Sequence, residues 1–425
     1  MDWIKELRDP KYTAAFQQWC GVVPLGRVVV DNNNLQDGGS KFDAVRPNGV
    51  KNGYHATNGL KARPTRHSGE NGIQVSNGHV KSVEDEICKH KYVKTSGGLQ
   101  YAISNKPLYL IFRLGALMGN EEFFLGFFPF FLWNVDSVVA RQTIIMWSLT
   151  MYLGQAAKDV IRWPRPPSPP VVRLEIEHSG EHGMPSTHAM AGTVIPCALF
   201  LLIHERYEIS PYLCVTAAVV WAVVVCLSRL YLGVHSVADV MCGIGSSLLL
   251  MASILPYLGK CDWYIQTHIS SPFVLLVLSL ALCTVLYPAS KGFSSRSNAT
   301  EILAASAGTL TGCWVLHYTG ITKVVQTAGL HPVIYPTLDW VAYSLVRFSI
   351  GVVSLVTTYF ITGKFAAWLV SYMVGLEKTD KKHPSVIIPY KFITYYTMGL
   401  VLMALVPNIT RWLGICRSTF FGEVL

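Results

Sequence analysis

The chain has 425 residues, 51% of them hydrophobic and only 14% charged, with a net charge of +9. Soluble domains carry about 25% charged residues, and here the apolar residues are gathered into long runs, which excludes an ordinary soluble protein. No stripe of Lys and Arg interleaved with aromatics is present, so nucleic acid is not among the expected partners.

The opening MDWIKELRDPKY has no apolar core and is not read as a cleaved signal peptide, so insertion must use internal segments. Residues 1 to about 25 suggest a short amphipathic helix with Trp3, Leu7, Phe16 and Trp19, interrupted by Pro10. It either lies at the membrane interface or docks on the rest of the protein. From Val28 to about Lys94 the chain is rich in Asn, Gly and charge. Such a stretch cannot bury enough apolar surface to offset its ordering entropy. Residues 1–95 are therefore expected to be a mostly disordered basic tail, and the first 107 residues hold 15 Lys/Arg against 10 Asp/Glu.

Beyond the tail, apolar runs recur at 108–133, 140–157, 189–203, 212–229, 237–256, 272–288, 302–318, 339–363 and 390–412. Most approach the roughly 17 to 25 residues that a helix needs to cross a bilayer. The expected fold is all-α, a polytopic membrane bundle of about nine transmembrane helices. A catalytic core is expected over 96–260, with further transmembrane helices over 261–425. The run at 108–133 is impure, because it carries Arg113, Glu121 and Glu122. Cys197, Cys214, Cys226, Cys242, Cys283 and Cys313 sit inside apolar runs as small hydrophobes, with no metal-ligand spacing. No structural disulfide, metal or cofactor is expected.

Two polar loops interrupt this pattern, Lys158–Thr187 and Ser228–His235. Charge and irregular backbone beside a membrane are expensive and usually functional. Three segments carry the chemistry: Lys158-x6-Arg165-Pro166, Pro185-Ser186-Thr187-His188, and Ser228-Arg229-x5-His235-x3-Asp239. Any one of Lys158, Arg165 and Arg229 at the end of an apolar run is explained by snorkelling to the headgroups. Three cations beside two histidines and a serine suit an anion instead, since Arg binds phosphate oxygens multidentately and Lys adds a point charge. Ser186 or Thr187 is a natural N-cap, and a helix start offers free N–H groups to an anion. His188 would sit in the first turn. His235 and Asp239 share a helix face if the helix has begun, and the carboxylate would orient the imidazole as in a catalytic triad. A merely structural His–Asp pair is the bland alternative.

In this order and spacing, the segments resemble the tripartite signature of the type 2 phosphatidic acid phosphatase (PAP2) superfamily, with Thr187 where a glycine is often found. More closely, WPRPPSPPVVRLE, HGMPSTHAM and CLSRLYLGVHSVAD look like the sphingosine-1-phosphate phosphatases, as do RDPKYTAAFQQWCGV and PYKFITYYTMG. The resemblance implies a PAP2/haloperoxidase-like core and a lipid substrate, a sphingoid base phosphate, in the endoplasmic reticulum membrane. It also implies site roles. His235 attacks phosphorus, Asp239 holds its ring, and His188 protonates the leaving alkoxide and then activates water. Lys158, Arg165, Ser186, Thr187 and Arg229 bind the phosphoryl oxygens. Phosphatase action on another lipid phosphate, phosphoryl transfer to another alcohol, and a non-enzymatic transporter or scaffold are the alternatives. Nine spans would put both catalytic loops on the face of the tail, which the basic 364–388 loop makes cytosolic by the positive-inside rule. The resemblance implies a lumenal site, where Asn298-Ala299-Thr300 would be a usable glycosylation sequon.

Overall fold

The computed structural model describes residues 2–27, 93–94, 99–175, 181–288, 294–322, 330–333 and 335–422. Apart from Val93 and Lys94, the stretch read as disordered from Val28 to Lys94 lies outside the described residues. Pro10 separates two helices, α1 (Asp2–Leu7) and α2 (Pro10–Trp19). It occupies the first turn of α2, where a missing N–H costs nothing, and the Asp9 side chain caps the helix by accepting the Lys11 N–H at 2.9 Å. Strands β1 (Val22–Arg27), β2 (Val93–Lys94) and β3 (Leu99–Ile103) form a small antiparallel sheet in the order β1-β3-β2. Val22 pairs with Ile103, and Val93 with Tyr101.

The impure run at 108–133 is two helices, α3 (Lys106–Leu117) and α4 (Glu121–Asn134). Glu121 and Glu122 fall in the first turn of α4, where free N–H groups favour carboxylates. Then follow α5 (Ser137–Ile161), α6 (Thr187–Arg206), α7 (Pro211–Tyr231), α8 (Val237–Thr267) and α9 (Ser271–Cys283). The chain closes with α10 (Ser294–Tyr318), α11 (Leu338–Met373) and α12 (Pro384–Leu400), the last running through a π turn, Val401–Leu405, into α13 (Val406–Trp412). The π turn precedes Pro407, which has no N–H for the carbonyl of Met403. The indole N–H of Trp133 is donated to the Leu402 carbonyl in that turn at 2.9 Å.

Six segments among the described residues, α6, α7, α8, α10, α11 and the α12–α13 rod, are long and apolar enough to cross a membrane. The other runs expected to span became α5, the 13-residue α9 and the broken α3–α4 pair. The most apolar stretch of α10 is 78% buried and that of α11 only 11%, so α10 is central and α11 faces lipid. At the crossing of α10 and α12, a Cβ on Gly308 would lie 2.0 Å from the Tyr396 carbonyl oxygen, so only glycine lets these backbones meet. Arg141 of α5 donates from Nε to both oxygens of Asp262 of α8, at 2.8 and 3.0 Å, and Gln142 adds a bond of 3.1 Å. Both charges are buried, a placement tolerated because they neutralise each other. The pair locks α5 against α8. The C-terminal ends of α5 and α7 and the N-terminal ends of α6 and α8 then carry the three polar segments to one end of the bundle.

Candidate active site

The first segment leaves α5 at Arg162, whose left-handed backbone (φ 55°) ends the helix. Lys158, on the last turn, donates to Glu181 Oε2 at 2.8 Å and to Thr187 Oγ1 at 3.0 Å. Arg165 donates from Nε to the Glu181 carbonyl and from Nη1 to the Val234 carbonyl, both at 3.0 Å. The same Nη1 faces His235 Nε2 at 3.4 Å.

Ser186 caps α6, its Oγ accepting the Ala189 N–H at 3.4 Å, and its own N–H is donated to the Asp239 carbonyl at 3.1 Å. His188 Nε2 meets Asn120 Oδ1 at 3.1 Å. On α7, Arg229 donates from Nη1 to Glu175 Oε2 at 3.1 Å. Its Nε and Nη2 are buried with no partner among the described residues. Leaving buried charged donors unbonded costs on the order of 1–3 kcal/mol or more, a penalty that an oxyanion would relieve.

The turn after α7 depends on Gly233, whose φ is +68° and whose Cβ would lie 2.3 Å from the Val172 carbonyl oxygen. Buried Gln17 of α2 stitches this turn to the first loop. Its Nε2 donates to the Val172 and Tyr231 carbonyls at 2.6 and 2.9 Å, and its Oε1 accepts the Val172 N–H at 2.9 Å. Thr13 Oγ1 donates to the His235 carbonyl at 3.4 Å. The amphipathic N-terminal segment is thus docked on the turn that carries His235.

The helix has not begun at His235. It begins at Val237, with Ser236 as N-cap and Asp239 completing a capping box. Asp239 Oδ2 accepts the Ser236 N–H at 2.8 Å and lies 3.8 Å from His235 Nδ1, a distance for electrostatic attraction, not a hydrogen bond. An Arg165 N–H directed at Nε2 requires a lone pair there, which leaves the ring proton on Nδ1, towards Asp239. Burial first, and the Arg165 guanidinium next, push the His235 imidazole down to about 3 against the pull of Asp239, so the ring is neutral at ordinary pH. Burial also lowers Arg165 to about 10, while Glu181 works to raise it, and the guanidinium stays cationic.

Of the eight residues singled out from sequence, His235 contacts Asp239 and Arg165, Lys158 contacts Thr187, and Ser186 joins through the Asp239 backbone. Arg229 and His188 bond to Glu175 and Asn120, respectively. A polar cavity of about 40 Å³ opens beside the start of α6, lined by Asn120, Glu121, Glu181, Thr187, His188 and Asn298 among others. Sequence reasoning missed Glu175 and Glu181, although carboxylates between two cation-bearing motifs were a signal. It also missed Gln17, Thr13 and Asn120. Asn298 needs a correction. It lies in α10, donates to Glu181 Oε1 at 3.3 Å, and precedes fully buried Thr300, so the sequon is structural and not a surface glycosylation site.

The helical core and its charged end match the PAP2 superfamily model over residues 140–263. A multi-pass helical membrane protein of the PAP2 superfamily is the class so defined. Along nearly the whole chain the likeness is narrower. Sphingosine-1-phosphate phosphatase 1 of Rattus norvegicus is 33% identical over 96% of this chain and 97% of its own. Sphingosine-1-phosphate phosphatase 2 of Homo sapiens is 34% identical over 97% and 99%. Lipid phosphate phosphatase delta of Arabidopsis thaliana is 30% identical over 35% of this chain and 38% of its own. No solved structure matches. The chain belongs to the sphingosine-1-phosphate phosphatase family and is a membrane phosphoric monoester hydrolase.

Proposed function

We propose that the protein dephosphorylates sphingosine 1-phosphate and related sphingoid base phosphates through a phosphohistidine intermediate, without a metal. His235 Nε2 gives its lone pair to phosphorus as the bond from phosphorus to the lipid oxygen breaks. His188 donates a proton to the departing alkoxide, and then takes one from the water that cleaves the nitrogen–phosphorus bond and releases inorganic phosphate. Asp239 stabilises the ring as it becomes cationic. Lys158, Arg165, Ser186, Thr187 and Arg229 hold the phosphoryl oxygens, the electrostatic and positioning work on which phosphoryl transfer depends.

The observation that carries this reading is the His235 ring itself. It is buried and neutral, its Nε2 lone pair faces a cation, and a carboxylate stands behind Nδ1. The test is phosphate release from sphingosine 1-phosphate by the purified protein in detergent with chelator present. His235→Ala and His188→Ala are each expected to lower it by at least ~100-fold. Activity surviving in His235→Ala would exclude the histidine nucleophile.

The family resemblance supports the endoplasmic reticulum as the membrane and its lumen as the side of the site. Because α2 is docked on the turn bearing His235, an epitope placed before α1 is expected to be protected from protease in sealed microsomes. Its digestion there would put the site on the cytosolic face.

A further inference from the structure

Glu121 lies on the wall of two cavities. One is the polar cavity beside His188 and Thr187. The other is an apolar cavity of about 110 Å³ between α4, α5, α10, α11 and α12, walled by Phe124, Phe128, Trp147, Ile302 and Met398 among others. Glu301, paired with Lys391, also lines the apolar cavity but not the polar one. Half-buried Glu121 therefore marks the boundary between an apolar chamber inside the bundle and the catalytic end of the molecule.

We propose that the apolar cavity takes the hydrocarbon chain of the substrate, and that Glu121 recognises a cationic amine on the carbon next to the phosphate-bearing one. The inference rests on the reading of the chain as a sphingoid base phosphate phosphatase and adds how that substrate is selected. With the phosphate among Arg165, Arg229 and His235, the leaving oxygen lies toward His188, and the next substituent along the lipid enters the polar cavity. A carboxylate on that wall meets an ammonium with a charge-assisted hydrogen bond. A glycerol phosphate offers a neutral hydroxyl there, and N-acylation removes the cation. The hydrocarbon chain then continues past Glu121 into the apolar cavity, whose walls at α10, α11 and α12 lie outside the segment that matches the PAP2 superfamily. The later helices thereby gain a role in specificity.

Glu121 also acts electrostatically on Lys158 and Tyr395, so a purely structural role must be separated from recognition. Full-length protein would be assayed for kcat/KM on sphingosine 1-phosphate, with lysophosphatidate of equal chain length as a competing ligand. Glu121→Gln is expected to lower kcat/KM for the sphingoid substrate roughly 10- to 100-fold while moving the lysophosphatidate inhibition constant by less than about threefold. Equal weakening of both, or of neither, overturns amine recognition. Leu355→Trp, which fills the apolar cavity from the lipid-facing helix α11, is expected to raise KM for the long-chain substrate and spare a short-chain analogue. Unchanged KM for both, with the thermal midpoint retained, overturns the chain site. If the unaltered protein releases no phosphate from sphingosine 1-phosphate, the proposed function itself falls and this inference with it.

Discussion

Oδ2 of Asp239 lies 3.8 Å from Nδ1 of His235 while accepting the Ser236 N–H at 2.8 Å, so one oxygen both faces the ring and caps the helix that follows it. An amide in its place keeps an acceptor for the cap but loses the charge that, in the proposed mechanism, would stabilise a cationic ring. Asp239→Asn is expected to reduce kcat by ~100-fold or more with little change in thermal midpoint. A variant that unfolds without losing kcat per folded molecule would reduce Asp239 to a cap.

Glu181 holds Lys158 through a 2.8 Å ion pair and Arg165 through its carbonyl. Removing one partner of a buried pair leaves a charge uncompensated, at a cost of about 3–5 kcal/mol. Glu181→Ala should therefore lower the thermal midpoint, and added phosphate or vanadate should raise it more in the variant than in the unaltered protein. An equal response in both would show that these cations do not form the anion site.

Gln17 makes three hydrogen bonds from α2 to the first loop and to the end of α7. Gln17→Leu leaves the Val172 N–H and two carbonyls unsatisfied, at about 1–3 kcal/mol each. The expected outcome is a lower thermal midpoint together with a lower kcat, because the turn through Gly233 sets the position of His235. A fall in stability with kcat intact would make the contact structural only.

The neutral, buried His235 also predicts acid lability. Its value is about 3 in the folded protein and ~6.5 in an unfolded chain. Between those limits the unfolded state binds a proton that the folded state does not. Stability is therefore highest above the unfolded value and falls as pH drops through the window, by up to ~1.4 kcal/mol per pH unit. Carboxylates contribute to both proteins, so the difference in thermal midpoint between the unaltered chain and His235→Gln, measured from neutral pH downwards, isolates this one group. Parallel curves would mean that His235 takes up its proton at the same pH in the folded protein as in the unfolded chain, and so is not held neutral by burial.

The helical bundle and the family were legible because both are written locally. Apolar runs of membrane length mark helices wherever they fall, and spacings such as His235-x3-Asp239 keep their residues close by covalent connection. The differences are local as well. In the sequence Arg113, Glu121 and Glu122 make one span impure, whereas in the structure Glu121 and Glu122 open a second helix. His235 shares a helix face with Asp239 only if the helix has begun, and the helix begins two residues later.

By itself the sequence determined the family and the membrane bundle, and that three polar segments interrupt it, since hydropathy and motif spacing are properties of neighbours along the chain. Only the tertiary structure decided what those residues touch. Thr13 reaches His235 across 222 residues, and Gln17 reaches Val172 across 155. Asn298 of α10 enters the polar cavity to meet Glu181, and Glu121 comes to stand between that cavity and the apolar one. Such contacts arise when helices distant in sequence pack their faces together, and no spacing within a single segment encodes which faces meet.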